Sequence, residues 1–105
     1  MVAVKQFDLY RNPSAALHEV APYLVILSSH LFADLSEVVV APVVRHGQLE
    51  ASSFDVPVEW NSEAFNVSVI GLAAIRSIHL RDRIGTLLDH EFDIRRALDR
   101  LFTGF

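Results

Sequence analysis

A mainly β chain closed by one C-terminal α-helix is the fold class that the sequence predicts, and two observations predict it. Short apolar runs rich in β-branched residues recur between turn-forming residues through most of the chain. Near the end the spacing of apolar residues lengthens to three and four. With 105 residues, 51% of them apolar, one domain spanning residues 1–105 is expected, with a core that needs neither metal nor disulfide.

The first run, Val4 to Leu9, reads as a strand with Val4, Gln6 and Asp8 on one side and Lys5, Phe7 and Leu9 on the other. Arg11-Asn12-Pro13-Ser14 is turn chemistry that ends it. Tyr23 to Leu27 is a second strand, and Val38 to Val44 a third. Pro42 lacks a ladder donor, so the third strand is expected at an edge or broken by a bulge. Between these two, Leu31 and Phe32 serve either the core or an exposed binding patch, and the residues leave both open.

Val56 to Trp60 and Phe65 to Ile70 flank Asn61-Ser62-Glu63, which predicts a hairpin with a loop of three or four residues. Trp60 beside that turn is either cover for the sheet or an interface anchor. Leu72 to Ile75 is a further apolar segment, and the alternation in Arg76 to Arg81 suits a half-buried strand. Ile94, Ala97, Leu98, Leu101 and Phe102 then form the apolar stripe of a helix of about 13 residues. Asp89 is the expected N-cap, Glu91 and Asp93 put negative charge in the first turn, and Gly104 suits a left-handed residue past the last.

Charge and composition narrow the functional classes. The absence of cysteine removes disulfides, thiolate nucleophiles and cysteine zinc sites. The net charge of −4 is uneven, net −5 over residues 1–75 and net +1 over residues 76–105, and no concentrated basic face is visible. Direct sequence-specific nucleic-acid binding is therefore not expected. No run approaches the roughly 20 apolar residues that span a bilayer, and nothing reads as an export signal, so a cytoplasmic chain without membrane association is expected.

His18, His30, His46, His79 and His90 lack metal-ligand spacing, and the glycines at 47, 71, 85 and 104 stand singly, so neither a metal nor a cofactor is expected. No nucleophile-elbow motif occurs. The feature a generic fold does not require is the ending Phe102-Thr103-Gly104-Phe105. An aromatic beyond the helix cap either folds back onto the sheet or stays available to a partner.

The opening Gln6 to Asn12, the segment Leu24 to Asp34, the run Val38 to Pro42 and above all Glu91 to Phe105, ending Phe-Thr-Gly-Phe, resemble the CcdB family of toxins in type II toxin–antitoxin pairs. That resemblance implies an SH3-like antiparallel barrel or sheet core with a small additional sheet and a C-terminal α-helix, forming a homodimer. It also implies a topoisomerase poison that is not an enzyme, needs no cofactor, and traps the DNA gyrase cleavage complex through the gyrase A subunit. A CcdA-like antitoxin would neutralise it.

Carried onto this chain, the gyrase-binding residues would be Leu31, Phe32, Asp99, Phe102, Thr103, Gly104 and Phe105. Ala41 stands as an extra residue before Pro42, which implies a bulge. The alternatives are an inactive binding relative with another target, or an endoribonuclease of the related MazF/Kid type. The latter would draw on Arg11, Arg76 and Arg81, whose convergence the sequence does not show.

Overall fold

The computed structural model describes residues 4–29, 36–48 and 52–104. Seven antiparallel strands form one sheet: β1 (Asp8–Arg11), β2 (Tyr23–Ile26), β3 (Glu37–Arg45), β4 (Asp55–Trp60), β5 (Glu63–Ser68), β6 (Ala73–Arg76) and β7 (Arg83–Thr86). Their order is β4-β5-β3-β2-β1-β7, with β6 joined to the other half of β3. The sheet curls into a half-barrel, and α1 (Glu91–Thr103) packs on it, the SH3-like barrel-plus-helix arrangement.

The nine-residue β3 organises the sheet. Its Val40 to Val43 pair with β2, its Glu37 to Val40 with β6, and its Val43 to Arg45 with β5. On the side of β3 away from β2, Ala41 and Pro42 have no strand partner, because they fall between the end of β5 and the start of β6. That gap is why a proline survives in a central strand, where the missing N–H would otherwise break a ladder. The β2–β3 register runs from Tyr23↔Val43 to Ile26↔Val40 without a shift, so Ala41 makes no bulge there. The irregularity lies instead between Leu9 and Tyr10, where β1 meets β7.

Strict alternation along β3 separates two apolar faces. Ala41 and Val43 join Leu9, Val25, Phe65 and Val67 in the larger core, which Ile94 and Ala97 of α1 complete. Val38 and Val40 face the other way, with Tyr10, Leu24, Ile26 and Leu80. A residue-by-residue switch of side, rather than a helix on each face, gives this small chain its two clusters.

Several expected elements move. The initial strand begins at Asp8, because the chain turns over Lys5 to Asp8 with Phe7 at φ 70. That conformation drives the Phe7 ring into the core, 1% exposed, while its N–H donates to Ile26 O and its carbonyl accepts from Leu87 N. The hairpin loop shrinks to Asn61-Ser62, both at positive φ, the mirror-type turn that matches strand twist. Arg76 to Arg81 is split into the end of β6 and a 3-10 turn at Ser77–His79, and β7 follows where no strand was expected.

At the helix start, a 3-10 turn over Leu88–His90 takes the place of an Asp89 cap, and Thr86 Oγ1 accepts from Leu88 N instead. Gly104 ends α1 at φ 77, its N–H donating to Arg100 O, as the sequence predicts. Phe102 leaves the predicted apolar stripe and is 70% exposed.

The two sheet edges, β4 and β7, close on each other through Trp60. A Cβ built on Gly85 of β7 would lie 2.0 Å from the Trp60 ring, so the indole covers this seam at van der Waals contact with a glycine. Trp60 is thus cover for the core rather than an anchor. Gly85→Ala is expected to cost about 1–3 kcal/mol of stability, read as a lowered urea midpoint. On a Trp60→Leu background the same change should cost much less, because the clashing ring is gone.

Candidate functional site

The segment between β1 and β2 is held by one side chain. Asn12 Oδ1 accepts from Ser14 N at 2.9 Å, its Nδ2 donates to Ala21 O at 2.8 Å, and its N–H donates to Pro22 O at 2.9 Å. An amide that bonds both ends of a loop fixes that loop without a helix or ladder. Residues 14–21 then coil tightly, with His18 and Leu17 N–H groups donating to Ser14 O.

This coil and the neighbouring strand ends enclose a polar groove of about 450 Å³. Arg11, Ser14, His18, Tyr23 and Arg45 line it. His18 Nδ1 lies 2.7 Å from Ala15 O; a carbonyl only accepts, so Nδ1 carries the proton and Nε2 of the neutral ring is left as a base. Arg45 is fixed by Glu63, by Glu19 O at 3.0 Å, and by its place over the Phe65 ring. Tyr23 stands edge-on to the same ring at 5.4 Å.

Arg11 is the freer cation. Its contact with Asp82 is 3.7 Å long with both side chains more than 60% exposed, a pair worth at most about 1 kcal/mol in water. A phosphate can therefore compete for this guanidinium. Of the other arginines weighed from the sequence, Arg76 lies opposite Glu37 on the β3–β6 ladder and Arg81 precedes Asp82, and neither lines the groove.

Beyond the Asn12-Pro13-Ser14 ridge the surface changes character. A larger groove of about 580 Å³ runs over Leu24, Val40, Pro42, Val44 and Ile75 and is almost wholly apolar. The titratable and cationic side chains Arg11, His18 and Arg45 line the polar groove. Among the described residues no cluster of three or more His, Cys, Asp or Glu is placed to hold a metal, and no helix is long and apolar enough to cross a membrane.

β1 is pinned at its start by Asp8, the one buried charged side chain among the described residues. Its carboxylate receives Lys5 N at 3.2 Å and the Arg83 guanidinium at 3.2 and 3.3 Å. The hydrogen bond and charge of Asp8 raise the Arg83 pKa further, so this cation stays charged. Burial, then the Asp8 charge, hold the Tyr10 hydroxyl above the ordinary phenol range, with Arg83 pulling the other way.

The residues carried over from the family resemblance fall elsewhere. Asp99, Phe102, Thr103 and Gly104 lie at the exposed end of α1, remote in the chain from the groove residues, and the Thr103 hydroxyl is turned back onto Asp99 O. Leu31, Phe32 and Phe105 lie outside the described residues. His18 was passed over in the sequence for want of metal spacing; the signal that could have found it was the turn chemistry of residues 11–14, which sets Arg11 and His18 at two ends of one coil.

A family model described as CcdB protein matches residues 6–104. No curated protein matches the chain. Among solved structures it is similar to an endoribonuclease from Mycobacterial species, with 16% identity, a TM-score of 0.73 and 94% of this chain and 90% of that one covered. It is also similar to the Mycobacterium tuberculosis toxin MazF-mt6, at 22% identity and a TM-score of 0.70, covering 93% and 96%. MazE-MazF from Deinococcus radiodurans gives 11% identity and a TM-score of 0.71, with 98% of both chains covered.

At these identities the likeness is one of fold. It nevertheless corrects the expectation of a non-enzymatic topoisomerase poison whose target is the gyrase A subunit. The solved chains that this one follows along nearly its whole length are a ribonuclease and MazF toxins, not gyrase poisons. The expectation of no direct sequence-specific nucleic-acid binding is corrected with it. It rested on the absence of a concentrated basic face in the sequence, whereas two arginines and a histidine line one groove.

The Tyr10 environment has a measurable consequence. In the unfolded chain a phenol loses its proton near pH 10, whereas the folded state retains it to higher pH. The folded state then binds more protons, so stability is full below about pH 10 and falls as pH rises through the folded pKa. Tyr10→Phe should remove this alkaline loss, read from urea midpoints between about pH 9 and 11.

Proposed function

The chain belongs to the CcdB protein family, and from that membership together with the groove geometry we propose that it is a toxin acting as an endoribonuclease on single-stranded RNA. The observation that carries this reading is the opening of Arg11, His18, Tyr23 and Arg45 onto one groove of a fold shared with ribonuclease toxins. RNA in the cytoplasm is its site of action, and an antitoxin is the partner that restrains it.

Each residue has a role that its surroundings fit. Tyr23 offers an aromatic surface for an unpaired base, the usual way single strands are gripped. Arg45, already oriented by Glu63 and Glu19, supplies a fixed positive charge along the backbone. His18 Nε2 takes the proton from the ribose 2′-hydroxyl, whose oxygen attacks the adjacent phosphorus. Arg11 leaves its weak contact with Asp82 and stabilises the charge that gathers on the phosphoryl oxygens. The P–O5′ bond breaks, the 5′-oxygen takes a proton from solvent at the open groove, and a 2′,3′-cyclic phosphate remains. DNA lacks the 2′-hydroxyl and is not cut by this route.

Purified protein is expected to cleave a mixed-sequence, fluorophore-quenched RNA and to leave the matching DNA intact. His18→Ala and Arg11→Ala should each lower the rate by about 10²-fold or more while the far-ultraviolet circular dichroism stays unchanged. An intact RNA, together with cleaved plasmid accumulating when gyrase is added, would overturn the proposal.

A further inference from the structure

Arg45 lines a second, separate recess of about 210 Å³, on the side of β3 away from the groove containing His18. Its floor is formed by Val44, and Ile70, 57% exposed, stands beside it. Its polar wall comes from Asn66 and Ser68, successive outward positions of β5, from Ser52, and from Asp55, whose carboxylate accepts from Ser52 N at 2.9 Å and adds a further acceptor. On β2 and β3 the corresponding outward positions are apolar, so the polarity is confined to this end of the sheet face.

These polar groups are not consumed by the fold. The Asn66 and Ser68 side chains make no hydrogen bond among the described residues, and the Ser52 hydroxyl accepts from Phe54 N at 3.1 Å while its own hydrogen remains to be donated. A half-buried amide beside two hydroxyls presents donor and acceptor together, which is what the edge of a nucleobase requires. Val44 and Ile70 provide apolar contact for the face of a flat ring. The volume is below that of a drug-sized pocket and suits a single ring system.

We infer that this recess is a nucleobase subsite, in which Asn66 and Ser68 read one base of the RNA adjoining the nucleotides at His18, with Arg45 bridging the two positions through the intervening phosphate. The inference rests on the ribonuclease reading and deepens it, because it assigns sequence preference to residues that take no part in bond cleavage. Arg45, a lining residue of both recesses, is what ties the two sites to one strand.

The test digests a randomised RNA pool with the wild-type protein and with Asn66→Ala, Asn66→Asp and Ser68→Ala, and reads the sequences flanking the cuts. Wild type should prefer one base at a fixed distance from the cut. Asn66→Ala should flatten that preference by about 10-fold, since one bidentate base contact discriminates to roughly that degree. Asn66→Asp keeps the shape but only accepts, so it should shift the preference to a different base. Ser68→Ala, a smaller change, carries the test should Asn66→Ala fail to fold.

Cutting by all variants with the wild-type preference would overturn the subsite while leaving the ribonuclease standing. A wild-type protein that cuts no RNA would overturn both.

Discussion

The alternation of side chains along β3 is the constraint on which the other elements depend. The nine-residue β3, paired with β2, β5 and β6, carries apolar side chains on both faces. Its Val-rich sequence sends Ala41 and Val43 to the helix side and Val38 and Val40 to the other. A slip of one residue would exchange the two sets and misplace every partner strand. The unshifted β2–β3 register and the position of Pro42 at the single-sided gap show how closely the sequence follows it.

The two proposed RNA-contact surfaces lie where the apolar outward positions give way to polar ones. At the β1–β2 end, Asn12 ties down a coil that carries polar residues past the strand ends, and a groove with cations and an imidazole results. At the β5 end, the outward positions turn from Val to Asn66 and Ser68. Between them, Arg45 is the last residue of β3 and is shared by both recesses. The strand that organises the core thus also fixes the spacing of the proposed RNA contacts.

The same frame limits what family resemblance can say. The ending Phe102-Thr103-Gly104 closes a helix whose buried residues are Ile94 and Ala97, and the family match spans residues 6–104 rather than this ending alone. A helix end of given sequence is compatible with different partners, because folds host more than one activity. The chemistry present in the groove is a sharper guide than the terminal motif.

Composition and periodicity by themselves determined the mainly β class, the strand runs at Tyr23 and Val38, the hairpin around Asn61 and the helix ending at Gly104. These follow from local patterns of burial and turn preference. Tertiary structure alone decided the rest. Phe7 adopts a positive φ because the core needs its ring, β7 forms because β1 has an open edge, and Trp60 covers Gly85 because two sheet edges curl together. The meeting of Arg11, His18, Tyr23 and Arg45 belongs to this second kind: the groove spans residues far apart in sequence, and only strand pairing and the Asn12 bonds bring them to one place.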